Sequence, residues 1–238
     1  MFLLRAAQPA WLCAHNGYLI ELFFLLLVLT VAIAWVAVLW RARPERRGVA
    51  VAGMLLWLSF TGALAFDGIL QRFDRLPPPM GLLVVGASVL TAMLAYSPYG
   101  TKMIDSASIP LIAGFQMFRL AVEIFLWWGG RTGLVAPQLT FEGRNWDIVT
   151  GLTALPVAWL FARGTIGLRS VAIWNTLGLC LLLNVMAVAV LSFPTPIQYF
   201  EPASRFVATL PYVWLPTVLV QAAWFLHLIL FRQLRAKV

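Results

Sequence analysis

The sequence predicts an all-α, polytopic transmembrane bundle of seven helices with the N-terminus outside and the C-terminus inside, and three observations predict it. Hydrophobic residues make up 62% of the chain and charged residues 11%, against about 25% charged in an average soluble domain. The apolar residues fall in runs of about 17–25, the length of a helix that crosses the hydrocarbon core. Between the runs lie short segments of Pro, Gly and Arg, where helices end and charge stays in water. Spanning segments consume nearly all of the 238 residues. No stretch remains for a soluble unit with its own core, so residues 1–238 read as one transmembrane domain.

Taken in order, spans are expected near 17–40, 49–68, 80–97, 108–129, 148–163, 169–192 and 210–232. The opening MFLLRAAQPAWLCAHNG carries a lone Arg5 and no small-residue cleavage site, so the first span reads as its own targeting signal. RARPERRG at 41–48 closes that span, because Pro44 cannot continue a helix and the arginines stay in water. The second span has the alternative of running on as an interfacial helix through Gln71 and Arg75, before RLPPPMG at 75–81. SPYGTK at 97–102 ends the third, and Gly129-Gly130 ends the fourth. The fifth is short. FPTPIQYFEP at 193–202 separates the sixth from the seventh.

Orientation follows from Lys and Arg in short loops. With the N-terminus outside, the inner side holds Arg41, Arg43, Arg46, Arg47, Lys102, Arg163, Arg169, Arg232, Arg235 and Lys237. The outer side holds the smaller set Arg5, Arg72, Arg75, Arg131, Arg144 and Arg205. The net charge of +8 therefore speaks of membrane orientation and anionic headgroups, and a nucleic-acid partner is not implied. Trp40, Trp127, Trp128, Trp146 and Trp214 fall near span ends, as interfacial aromatics do. Cys13 and Cys180 are far apart and Cys180 lies in an apolar run, so no disulfide framework is expected. The expected location is the cell's inner (plasma) membrane, multi-pass, with the lipid bilayer as partner. Partner membrane subunits or further copies of the chain are also admitted.

The fourth span carries the polar centre. On a helix Gln116, Arg119 and Glu123 fall within an arc of roughly 60°, and that stripe cannot face lipid. An Arg at the bilayer centre costs about 2.5–3.5 kcal/mol on the insertion scale. Arg119 and Glu123 are expected to pair with each other or to point at different partners one turn apart. Asn184 of the sixth span and Gln221 of the seventh lie near mid-membrane, with Asn175 and His227 nearer the inside. Individually each amide reads as interhelical glue rather than a ligand contact. Together they suggest a polar core spread over the fourth, sixth and seventh spans.

The segment LTFEGRNWDIVTG, 139–151, is the second distinctive stretch. It is expected outside, packing Glu142, Arg144, Asn145 and Asp147 around a turn at Gly143. Asp147 is placed to cap the fifth helix, and the loop to cover the outer mouth with Arg144 open to an anionic group. The stretches FRLAVE, TFEGRNWDIVTG and WNTLGLCLLLN, followed by a His-bearing last span, resemble an uncharacterised family of bacterial multi-span inner-membrane proteins sharing FRxxVE and TFEGRNxDI-type stretches. The resemblance runs from Gln116 into the seventh span. It implies that these stretches belong together and brings no activity with it.

Several chemistries lack their residues. A retinal Schiff base needs a Lys inside the bundle, and the lysines are Lys102 in a loop and Lys237 at the terminus. Haem ligation would have to join His15 and His227 from opposite halves of the membrane. There is no HExxH, His cluster, CxxC or G-x-S-x-G, so no metal site, cofactor or catalytic residue is assigned. Three classes of function remain, in this order. The first is a small transporter or channel-like protein for a small anion, a proton or a polar solute, with Arg119 holding the anionic group. The second is an accessory or assembly subunit of a larger membrane complex. The third is an enzyme acting on a lipid-soluble substrate, with Glu123 or His227 as general base.

Overall fold

The computed structural model describes residues 10–42 and 44–237, and it is helical throughout, with no strand among the described residues. Arg5 and Arg43 lie outside the described residues, as do the side chains of Cys13 and His15. The helices are α1 (Ala10–Ala42), α2 (Arg47–Phe66), α3 (Pro79–Tyr96), α4 (Pro98–Ser106), α5 (Ile109–Phe115), α6 (Phe118–Thr132), α7 (Ile148–Ala162), α8 (Leu168–Val190) and α9 (Val220–Arg235).

Among the described residues, six segments are long and apolar enough to cross a membrane: Gly17–Arg41, Pro44–Phe66, Pro79–Tyr96, Ile109–Thr132, Leu168–Val190 and Leu215–Arg235. The expected fifth span, α7, is the exception. Its 15 residues reach roughly 22 Å at 1.5 Å per residue, short of a hydrocarbon core of about 30 Å. The second span does not run on through Gln71 and Arg75. Gly68 takes a left-handed φ of 69° after Phe66 and turns the chain into the short helix Ile69–Gln71.

The bundle is built around its last span. Buried residues make up 67% of the apolar window in Leu215–Arg235, against 17% in Pro44–Phe66, so α9 is the axis and α2 its lipid-facing wall. α9 packs against α3, α4, α5 and α8, and α1 packs against α6. Polar groups tie α9 to the end where α3 meets α4. Arg232 Nη1 donates to the Ala95 carbonyl and Nη2 to Thr101 Oγ1 at 2.9 Å, while Gln233 Nε2 donates to the Ile104 and Ala107 carbonyls at 3.1 and 2.6 Å. These carbonyls have no helical partner, so the side chains complete what the helix ends leave open. At the other end of the span, Leu215–Leu219 is a π-turn with Pro216 inside it. Gln221 Nε2 takes the Pro216 carbonyl at 3.0 Å and Trp57 Nε1 takes that of Thr217 at 2.9 Å.

The segment between α6 and α7 does not stand clear of the bundle as a loop. It turns at Gly133, φ 81°, and runs back along α6 with Val135, Ala136, Gln138, Leu139 and Thr140 buried. Gly129 and Gly130 permit it. A Cβ on either would meet Val135 Cγ2 at 2.5 Å or Thr140 Cγ2 at 2.9 Å. Its own bonds keep the stretch compact, with Arg144 N donating to the Gln138 carbonyl at 3.1 Å and Asn145 N to that of Thr140 at 3.2 Å. Gln138 Nε2 anchors it to the 192–202 loop through Ser192 Oγ and the Pro202 carbonyl. α7 therefore begins deep in the bundle, where Gly151 lies against the backbone of Arg119 and Leu120.

Candidate functional site

Arg119 sits roughly 20 Å inside the end of α6, counting 13 rises of 1.5 Å back from Thr132. The helix is broken just before it. Gln116 N bonds the Ala113 carbonyl and Arg119 N that of Gln116, three-residue spacings that separate α5 from α6. The guanidinium is 2% exposed and its donors are taken on three sides. Nε donates to Asp147 Oδ2 at 2.7 Å and Nη2 to Asp147 Oδ1, a bidentate fork. Nη1 reaches His227 Nε2 at 2.8 Å and Nη2 also reaches the Gly178 carbonyl at 3.3 Å.

That network fixes the tautomer of His227. Arginine only donates, so Nε2 accepts and the ring proton sits on Nδ1. Nδ1–H then donates to Asn175 Oδ1 at 2.8 Å, and Asn175 Nδ2 returns a bond to the His227 carbonyl at 3.1 Å. Gly178 lets the helices close on this point, since a Cβ there would meet His227 Cε1 and Thr150 Cγ2, both at 2.9 Å.

Glu123 completes the group one turn along α6 and is 1% exposed. Asn145 Nδ2 donates to Glu123 Oε1 at 2.7 Å and to the Leu139 carbonyl at 3.1 Å, and Asn145 Oδ1 accepts from Asp147 N. Glu123 Oε2 is buried and has no protein partner. Arg119, Glu123, Asn145 and Asp147 line one cavity of about 50 Å³, walled by Phe118, Leu182, Leu219 and other apolar side chains. Within it Arg119 and Asp147 cancel, which leaves the Glu123 carboxyl as the unbalanced group.

Several sequence expectations change here. Arg119 pairs with Asp147 and not with Glu123, because Asp147 arrives from a neighbouring segment with a carboxylate that meets the guanidinium fork edge-on. Asp147 stands at the N-terminal position of α7 but makes no side-chain cap; Arg119 holds its carboxylate instead. The polar stripe of α6 and the 139–151 segment, expected as two features, form one site through Asn145 and Asp147. Asn184 does not join it. It is exposed and donates to the Arg144 carbonyl at 2.8 Å. Asn175 takes the place expected of Asn184, and their spacing of nine positions, half a turn out of phase at 100° per residue, forbids both from facing the centre. Gln221 also points elsewhere, toward Ser88 Oγ on α3 at 3.3 Å. Gln116 is fully buried beside the helix break, with neither amide atom partnered.

Glu142 and Arg144 stay at the surface. Arg144 lies over the Phe200 ring at 5.0 Å, apart from the Arg119 centre. Glu142 accepts from Trp127 Nε1 at 3.0 Å and Arg131 Nη2 at 2.8 Å. The Trp127 bond first, then the Arg131 charge, hold its carboxyl below the usual range. A carboxyl lowered on folding contributes stability above its unfolded value near 4.3 and loses it as pH falls through the folded one. Because the pair is solvated, Glu142→Gln is expected to leave the thermal transition unchanged at neutral pH. A clear drop in the melting temperature would show that the pair is shielded from water.

The model of a protein family described as a domain of unknown function (DUF8737) matches residues 78–235, which include every residue of this site. No curated protein and no solved structure matches the chain.

Proposed function

Because this chain belongs to the DUF8737 family, whose function is unknown, we propose its activity from the site alone: it is a small membrane transporter in which Glu123 takes up a proton or a small hydrogen-bond-donating cation. The observation that carries this reading is Glu123 Oε2, buried and without a donor, beside a cavity of about 50 Å³. An ionised carboxylate buried without a partner is costly, so the site favours whatever brings a hydrogen to that oxygen. At about 30 Å³ per water the cavity takes roughly two waters or one small ion. An anionic solute is disfavoured because the Arg119 fork is already filled by Asp147. Ionisable groups inside a membrane bundle commonly serve as proton relays.

In this reading α7 and the stretch at Asn145–Asp147 that leads into it make the fifth of seven crossings, with Glu142 and Arg144 at the outer surface. Arg41, Arg46, Arg47, Lys102, Arg163, Arg169, Arg232, Arg235 and Lys237 then lie inside, giving an N-out, C-in protein of the plasma membrane. The unwound half brings Asn145 and Asp147 to mid-membrane, as irregular backbone does where it lines a cavity.

Reconstitution in vesicles holding a pH-sensitive dye, under an imposed potassium diffusion potential, tests the proposal. Wild type is expected to acidify or alkalinise the lumen faster than protein-free vesicles, with ammonium tested alongside as the small cation. Glu123→Gln keeps an acceptor for Asn145 Nδ2, so it is expected to insert and melt like wild type while its flux falls to the protein-free level. Equal flux in the variant, or no flux above protein-free vesicles for either ion, overturns the reading.

A further inference from the structure

On the far side of α9 from Arg119 lies a larger cavity that the transport reading does not use. Its volume is about 270 Å³, and α1, α2, α3 and α9 border it from Tyr99 at the basic end to Thr217, with an open side at Val49 and Leu90, both exposed. Trp35, Met54, Trp57 and Leu90 form much of its apolar wall. No charged side chain lines it.

Of the polar atoms in that wall without a protein partner, Trp35 Nε1 is one, and two more stand on α3 and α9. Gln221 is 1% exposed, and its Nε2 is committed to Ser88 Oγ and the Pro216 carbonyl, while its Oε1 has no partner. Thr91 is also buried. Thr30, Thr61 and Thr153 each bond the carbonyl four residues back, but the Thr91 hydroxyl makes no bond to protein. Ser88 and Thr91 stand three residues apart on one face of α3, so the Ser88 contact brings Gln221 to the same patch as Thr91. The cavity thus offers an acceptor at Gln221 and a hydroxyl at Thr91, side by side on an otherwise apolar surface.

We infer that this cavity binds an uncharged lipid alcohol, whose hydroxyl donates to Gln221 Oε1 and accepts from Thr91 Oγ1 while its hydrocarbon body fills the space between α1, α2 and α3. Neither a carboxylate nor an ammonium fits, because the wall supplies no counter-charge. A plain acyl chain would fill the volume and leave both polar atoms open. Water alone would satisfy the patch and leave the rest of the apolar volume dry. At about 30 Å³ per small group, the volume corresponds to roughly nine heavy atoms, a hydroxyl and a short run of carbons.

The test uses the full chain in phosphatidylcholine nanodiscs with a diazirine-bearing decanol as photoprobe, and mass spectrometry to locate the label. Label is expected on peptides covering residues 49–57, 87–94 and 217–221, and decanol is expected to compete at least about tenfold better than decane. Thr91→Val removes one bond at nearly constant volume, Gln221→Leu removes the Oε1 acceptor along with the Nε2 bonds to Ser88 and Pro216, and each is expected to weaken competition by decanol about tenfold. Gly53→Phe fills the cavity from α2, where a Cβ meets nothing within 4 Å, and is expected to abolish labelling with the fold intact. Equal competition by decane, or labelling indifferent to all three substitutions, overturns the inference; label displaced only by decanoic acid does so too. These readings are taken without any ion gradient, so they stand or fall apart from the flux through Glu123.

Discussion

Replacing Arg119 with Met is expected to destabilise the folded protein by about 3–5 kcal/mol, the cost of leaving a buried partner charge uncompensated. The substitution nearly preserves volume and leaves the Asp147 carboxylate, 5% exposed, without its fork. His227 Nε2 and the Gly178 carbonyl lose a donor at the same time. Asp147→Leu should cost a similar amount by stranding the guanidinium. The double variant Arg119→Met/Asp147→Leu tests the cause. Removing both charges is expected to recover most of the loss, because well-packed apolar groups replace a buried pair with little penalty. A residue of about 1–3 kcal/mol should remain for the open acceptors on His227 and Gly178. Equilibrium unfolding of the four proteins in one detergent gives the coupling between the two sites. Single variants that each cost less than about 1 kcal/mol would mean that the pair behaves as a solvated one. Arg119→Lys is expected to lie between, since a single ammonium cannot meet Asp147 and His227 together as the planar fork does.

The α6 side of this site was legible in the sequence. Gln116, Arg119 and Glu123 share a stripe that lipid excludes, and all three are buried. Gln221 and His227 are six residues apart on α9, about 120° around the helix. That predicts two polar positions facing different neighbours, α3 for one and α6 with α8 for the other. Asn175 and Asn184, half a turn out of phase, carried the same warning. The depth of the 139–151 segment was not legible. Its composition, with Glu142, Gly143, Arg144 and Asn145 in succession, is that of a surface turn, and Glu142 and Arg144 do remain exposed. Asn145 and Asp147 go inward because Gly129 and Gly130 leave room on α6 for the returning chain, and Gly151 lets α7 meet the α6 backbone. That is a property of pairs of residues distant in sequence, which neither hydropathy nor spacing reports. The span count suffers for the same reason, since an apolar-run count sees α7 and not the irregular chain that leads into it.

Gly151 carries the approach of α7 to the α6 backbone, and Gly151→Ala is expected to have a large effect on the site. The added Cβ would lie 2.5 Å from Leu120 N, 3.1 Å from Leu120 Cα and 3.2 Å from Arg119 C. All three are backbone atoms, so no rotamer change relieves the contact and α7 must move away from α6. Forcing one methyl into a packed interface costs typically 1–3 kcal/mol, and the upper part of that range is expected where the neighbour is rigid. The displacement also acts on chemistry. Asp147 lies one turn before Gly151, so moving α7 loosens the Arg119 fork and shifts Asn145, which holds Glu123 Oε1. Gly151→Ala should therefore lose ion flux along with stability, and its cost should be less than additive with Arg119→Met, in which the pair is already gone. Gly86→Ala on α3, where a Cβ meets nothing within 4 Å, is the control, expected to melt at or slightly above wild type because Ala favours the helix. If Gly151→Ala matches that control in melting temperature and flux, then the close seat of α7 on α6 does not hold Asp147 against Arg119. The bidentate pair would then have to be positioned by the 137–145 turn alone.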